Sequence, residues 1–310
     1  MISTFYHPGY AAPIGESHQM PIQKFELVAD AVRDMPGVHM ETPGPVSETD
    51  LARVHTADYI NAIRTGEPRE LAESQKFPWS PELFPSVCLT AGGCYAAARR
   101  ALEHGIATAI VSGFHHACSD HGEGFCTFNG LVITLDRLRE EGCIRRGTVL
   151  DMDLHYGNGT ASLMPDRPAL FALSIYGNDY AHNVPYRDVR TLRHEDGANH
   201  RSFALPEACD GTTQREIMID ALPTLLQNGL PELIIYQAGA DPYHEDPYSP
   251  LLLNHDDLFE RDRIVFAFAR EHGIPIVWVL AGGYTKDVHQ VVKIHVNTFH
   301  AALEIYGSRT

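Results

Sequence analysis

Five short runs rich in Val, Ile and Leu, at 107–112, 148–150, 170–174, 232–237 and 275–280, alternate with longer stretches of helical periodicity. Runs that are apolar throughout, rather than at every second residue, suit strands covered on both faces. Strands that alternate with helices build a parallel sheet, because each crossover carries the chain back to the same end. The expected fold is therefore α/β, a three-layer α/β/α unit with a mostly parallel central sheet. No linker or internal repeat divides the chain, so one catalytic domain over 1–310 is expected. That length is large for one domain but within the reach of α/β folds.

The helical stretches are expected at 22–34, where Leu27, Val28 and Val32 have helical spacing, and at 86–103, 131–140, 215–227, 258–272 and 288–306. Gly92 and Gly93 would weaken the second of these unless they pack closely on a neighbour. Ser47 to Asp50 has the form of a capping box. His55, Asp58 and Tyr59 are expected to be structural, at the edge of a packed helix. Segments 1–24, 68–84 and 176–201 are expected to be long loops.

Polar residues gather where the apolar runs end. After 148–150, Asp151, Asp153 and His155 alternate with Met152 and Leu154, and on an extended backbone they share one face. Gly157, Asn158 and Gly159 are turn formers. His115 and His116 follow 107–112, Asp241 follows 232–237, and Tyr284 follows 275–280. In a parallel sheet, ligands bind beyond the carboxyl ends of the strands, so these four exits belong together. Asp153, His155 and Asp241 offer three oxygen and nitrogen ligands. Three protein ligands with an open position are the catalytic zinc pattern. The His115–His116 pair can supply a base and an acid for hydrolysis, and Tyr284 can donate to an oxyanion. Asp151 and Asn158 can each fix the tautomer of one of these histidines, Asn158 without adding charge.

At these residues the chain resembles the zinc-dependent histone deacetylase family, which has the arginase/deacetylase fold. The resemblance rests on AGG at 91–93, GFHHACSDHGEGFC at 113–126, DMDLHYGNGT at 151–160, GAD at 239–241 and GGY at 282–284. The wording around the histidine pair is closest to the class IV branch and its bacterial relatives, the histone deacetylase-like amidohydrolases. The resemblance implies Zn²⁺ on Asp153, His155 and Asp241, with Fe²⁺ able to use the same ligands. It implies His116 as general base and acid, His115 as its electrostatic partner, and Tyr284 as the group that polarises the carbonyl. Asp151 is placed behind His115, and Asn158 behind His116. A structural K⁺ is implied near Asp151, Asp153, His155 and Ser174, and Gly124 and Phe125 are implied as walls of an acyl-lysine channel. Tyr156, Asn158 and Ala281 depart from the class I pattern, which bears on channel shape.

The expected substrate is an acylated lysine in a peptide or protein, or a small acylated amine such as an acetylpolyamine. A dinuclear ureohydrolase of the same architecture has Asp-x-His-x-Asp, but here Gly157 follows His155 where the second bridging carboxylate would stand. A metal-bound acyl-lysine reader needs neither the histidine pair nor Tyr284. The net charge of −16, with no Lys/Arg-rich run, argues against nucleic acid or an anionic membrane as partner. Six scattered cysteines without a CxxC pair, no signal-like N-terminus and no long apolar run lead to a cytoplasmic expectation.

Overall fold

The computed structural model describes residues 1–15, 18–178 and 196–307. Eight strands form one sheet: β1 (Ile2–Phe5), β2 (Val38–Glu41), β3 (Ile106–Ser112), β4 (Gly147–Asp151), β5 (Leu170–Tyr176), β6 (His200–Ala204), β7 (Ile234–Ala238) and β8 (Ile276–Leu280). Their order is β2-β1-β3-β8-β7-β4-β5-β6, and every pairing is parallel. Every residue of β3, β4, β5, β7 and β8 is buried, as expected of strands covered on both faces.

Helices make the outer layers. On one face Leu83–His104 packs against β3 and against Gly130–Glu140. On the other, Val288–Tyr306 packs between Lys24–Val32 and His255–Glu271. A side chain at Gly92 would collide with the Gly44 carbonyl, so this glycine lets the long helix approach the chain entering residue 45. The capping box forms as expected: the Asp50 backbone N–H donates to Ser47 Oγ at 3.2 Å and the Ser47 N–H to Asp50 Oδ2 at 3.0 Å. His55 is buried and structural, bound to the Cys118 carbonyl at 2.8 Å and accepting from the Asn129 N–H at 3.0 Å.

Several local expectations are corrected. The stretch at 1–24 contains β1, and 68–84 contains the one-turn helix Arg69–Ala72. Of the loop expected at 176–201, residues 179–195 lie outside the described residues, and its end enters β6. β4 ends at Asp151, so Asp153 and His155 stand beyond the strand rather than on it. Asn158 opens the helix Asn158–Leu163 instead of sitting in a simple turn. All six cysteines are unpaired thiols. Among the described residues, no helix is long and apolar enough to cross a membrane.

Candidate active site

β3, β8, β7 and β4 are consecutive neighbours at the centre of the sheet. Because all four run the same way, their carboxyl ends present His115, Tyr284, Asp241 and Asp153 at one edge. Asp153, His155 and Asp241 are buried, and one ligand atom from each lies within 4.8 Å of the others. His155 Nδ1 stands 3.1 Å from Asp153 Oδ1 and 3.0 Å from Asp241 Oδ2. Backbone amides aim the carboxylates: Leu154 N–H donates to Asp241 Oδ1 at 3.0 Å, and Gly282 N–H to Asp153 Oδ2 at 2.7 Å. A side chain at Gly282 would strike Asp241, so only glycine lets this backbone reach the carboxylates.

Two buried carboxylates against one imidazole leave negative charge in a low-dielectric setting, which is costly unless a cation compensates it. Burial opposes the charged form of His155, yet Asp153 and Asp241 outweigh it and lift its pKa to about 10. Burial and the Asp153 charge push Asp241 up to about 6. The donor set, one nitrogen and two carboxylates, fits a borderline divalent ion, and metal binding would displace the His155 proton.

The tandem histidines lie side by side, with ring centroids 3.9 Å apart, but their environments differ. His115 Nδ1 meets Asp151 Oδ2 at 2.6 Å, and His116 Nδ1 meets Asn158 Oδ1 at 2.5 Å. Burial disfavours charge on His115, but Asp151 and then Asp153 reverse the balance and raise its pKa. His116 has an uncharged partner. Burial, then the His115 and His155 charges, hold its pKa well below 6.5. Neighbouring histidines thus take opposite protonation preferences, the arrangement that separates acid from base roles. Burial, then Asp241 and Asp153, keep the Tyr284 phenol protonated well beyond its usual range.

Gly124, Phe125, Cys126, Asp153, Gln237 and Tyr284 line one pocket at this edge. Phe125 has φ of 64°, a left-handed conformation that costs a bulky residue roughly 1–3 kcal/mol. Its ring stacks on Phe77, with centroids 5.9 Å apart, and stands 6.2 Å from the Tyr284 ring. Ser174, on β5 beside Asp151, has a buried hydroxyl oxygen with no hydrogen-bond partner among the described residues.

Sequence reasoning missed several residues around this core. Lys24 is fully buried and donates to the Ala281 carbonyl at 2.5 Å; burial lowers its pKa to about 8 against the pull of Asp241 and Asp153. Its signal was a lysine in register with Val28 and Val32 on the buried stripe. Asp246 accepts from the Tyr284 N–H at 2.7 Å, and Arg261 donates to the Gly239 carbonyl at 2.7 Å. Neither has a spacing that marks it out in the sequence.

The histone deacetylase domain matches residues 18–299. An uncharacterized protein of Picosynechococcus sp. is 31% identical over 97% of this chain and 98% of its own. Histone deacetylase 2 of Arabidopsis thaliana is 32% identical over 81% of this chain and 64% of its own. An acetylpolyamine aminohydrolase from Burkholderia pseudomallei has the same fold, with a TM-score of 0.81 at 20% identity over 98% of this chain and 99% of that one.

Proposed function

The chain belongs to the histone deacetylase family, and from that premise we propose that it is a zinc-dependent deacylase that hydrolyses the amide of acetyl- or acyl-lysine. The observation that carries this reading is the buried Asp153–His155–Asp241 triad standing beside two histidines of opposite protonation preference. A divalent cation on the triad, Zn²⁺ or Fe²⁺, supplies Lewis acidity that acidifies water and polarises a carbonyl. His116 takes the proton from the attacking water at Nε2, the nitrogen turned away from Asn158. It returns that proton to the amine nitrogen as the C–N bond breaks, so the products are a carboxylate and a free amine. His115, kept charged by Asp151, favours negative charge developing nearby. Tyr284 donates its hydroxyl proton in a hydrogen bond to the oxyanion. Gly124 and Phe125 are proposed to wall the channel for the acylated side chain.

The Ser174 hydroxyl, with Asp151 and neighbouring main-chain carbonyls, fits a hard monovalent cation, and K⁺ is proposed there as a structural ion. The net charge of −16 also suits a small cationic substrate, which makes acylated polyamines the second class to assay.

The test is amide hydrolysis on a panel of acyl-lysine peptides and acylated polyamines, with metal content measured on the same sample. Turnover is expected to vanish with a chelator and to return with one equivalent of zinc. A folded, metal-loaded protein inert on the whole panel would remove the deacylase reading, and two metals per chain would favour a dinuclear hydrolase. Tyr284→Phe is expected to lower kcat roughly 10²–10³-fold with metal content unchanged, because only the oxyanion donor is lost. An unaltered kcat would take that role from Tyr284.

A further inference from the structure

Asn158 is itself held. Its Nδ2 donates to Glu123 Oε2 at 2.7 Å while its Oδ1 faces His116 Nδ1 at 2.5 Å. The other Glu123 oxygen, Oε1, lies 3.3 Å from His121 Nε2, and His121 Nδ1 lies 2.7 Å from Asp120 Oδ1. Each carboxylate oxygen of Glu123 therefore has its own partner. The backbone at Glu123 is fixed as well: the Cys126 N–H donates to the Glu123 carbonyl at 2.7 Å, across Gly124 and Phe125, both at positive φ.

The chemistry of these partners leaves one consistent arrangement. An ionised carboxylate only accepts hydrogen bonds, so the Asn158 amide must turn its NH₂ toward Glu123. That puts the amide oxygen, also only an acceptor, against His116. The proton of neutral His116 must then sit on Nδ1, leaving Nε2 as the acceptor nitrogen that faces the reaction. Without Glu123, the amide could rotate by half a turn and donate to Nδ1 instead, which would move the ring proton to Nε2 and leave no base. The two amide orientations have nearly the same shape, so packing alone selects weakly between them.

We propose that Glu123 is a positioning residue that acts through Asn158 to fix the tautomer in which His116 can serve as a base. The proposal rests on the deacylase reading for its kinetic consequence, but not for the tautomer itself. Nothing in it requires Glu123 to touch substrate. Glu123 is the outer member of a His116–Asn158–Glu123 chain, in which the amide passes on the orientation and the carboxylate supplies it.

The experiment compares the full-length parent with Glu123→Ala, Glu123→Gln, Asn158→Asp and the Glu123→Ala/Asn158→Asp double variant. Steady-state kinetics on an acetyl-lysine peptide is paired with ¹⁵N NMR of the histidine ring nitrogens, and thermal melting checks the fold. Glu123→Ala should lower kcat about tenfold, in the range seen when a partner that orients a catalytic histidine is removed, with KM unchanged. Its His116 nitrogens should shift from a pure Nδ1–H pattern to a mixture. Glu123→Gln should recover kcat only in part, because its amide can accept from Asn158 or donate to it and so no longer enforces one orientation. In the Asn158→Asp background the amide donor is gone and Glu123 faces a like charge, so removing Glu123 should no longer lower kcat and is expected to raise it.

Three results would overturn the proposal: a Glu123→Ala effect confined to KM, which marks a rim charge; an equal loss in both backgrounds; or a His116 nitrogen pattern unchanged by Glu123→Ala. If the parent turns over no acylated amine, the deacylase reading fails separately, and the nitrogen pattern still decides the role of Glu123.

Discussion

Replacing His116 by alanine is expected to abolish turnover while the protein stays folded and keeps its metal. General acid–base catalysis contributes about 10²–10⁴-fold, and His116 is proposed to serve in both directions, so the loss should reach about 10⁴. The two histidines of the pair have unequal surroundings. Burial, then the charges of His115 and His155, lower the pKa of His116 well below 6.5 and favour its neutral form, whereas Asp151 raises that of His115 against burial. His116 is therefore the one of the pair that favours a free lone pair to accept a proton. The same contrast fixes the sign of the pH dependence. A histidine whose pKa is depressed keeps its basic form as the pH falls, so the acid limb of kcat/KM should lie below 6.5, the ordinary histidine value. That limb should be missing from the residual activity of the alanine variant. Activity within tenfold of the parent would refute the assignment of His116 as base.

Asp241→Asn should separate metal binding from folding. Asn keeps the shape of the side chain and an oxygen to accept from the Leu154 N–H, but it removes one of two buried negative charges. Metal content should fall from one per chain to a small fraction, and turnover should disappear with it. The metal-free variant should nevertheless melt above the metal-free parent. Asp241 is fully buried and burial, then the Asp153 charge, lift its pKa to about 6, so its charge works against the fold at neutral pH when no metal is bound. The pH dependence has the same sign: a carboxylate whose pKa is raised in the folded state destabilises above its unfolded pKa, and the parent should regain that stability as pH falls through about 6. A metal-free Asp241→Asn variant that melts well below its parent would show that the carboxylate supports the fold in its own right. Retained metal would remove Asp241 from the ligand set.

The five central strands could be read from the sequence because burial on both faces writes itself as an uninterrupted apolar run. β1 (ISTF), β2 (VHME) and β6 (HRSFA) could not. β2 and β6 are the edge strands and have no buried residue, and β1 beside β2 is only four residues long, so none of them carries a sustained apolar run. The four strand exits were legible as a group, since a parallel sheet must bring them to one side. Which strands are neighbours was not, because nothing local in β8 says that it lies between β3 and β7. Lys24 and Glu123 were missed for a related reason. One joins the site across the sheet edge to Ala281 and the other through an intervening amide; register with Val28 and Val32 marks Lys24 as buried but not what it meets, and no spacing marks Glu123.

The position of β8 has a consequence for how the molecule is made. It is the final described strand in the chain, yet it fills the middle of the sheet. Before residues 276–280 leave the ribosome, β2-β1-β3 and β7-β4-β5-β6 can exist only as two separate half-sheets, each with an open apolar edge. Insertion of β8 closes both edges in one event and delivers Gly282 and Tyr284 to the other three exits. Pairings between residues as distant as Ile106 and Ile276 are the kind that slow folding and leave a nascent chain dependent on protection. Trp278, buried at the centre of the inserted strand, is placed to report that closing step by its fluorescence.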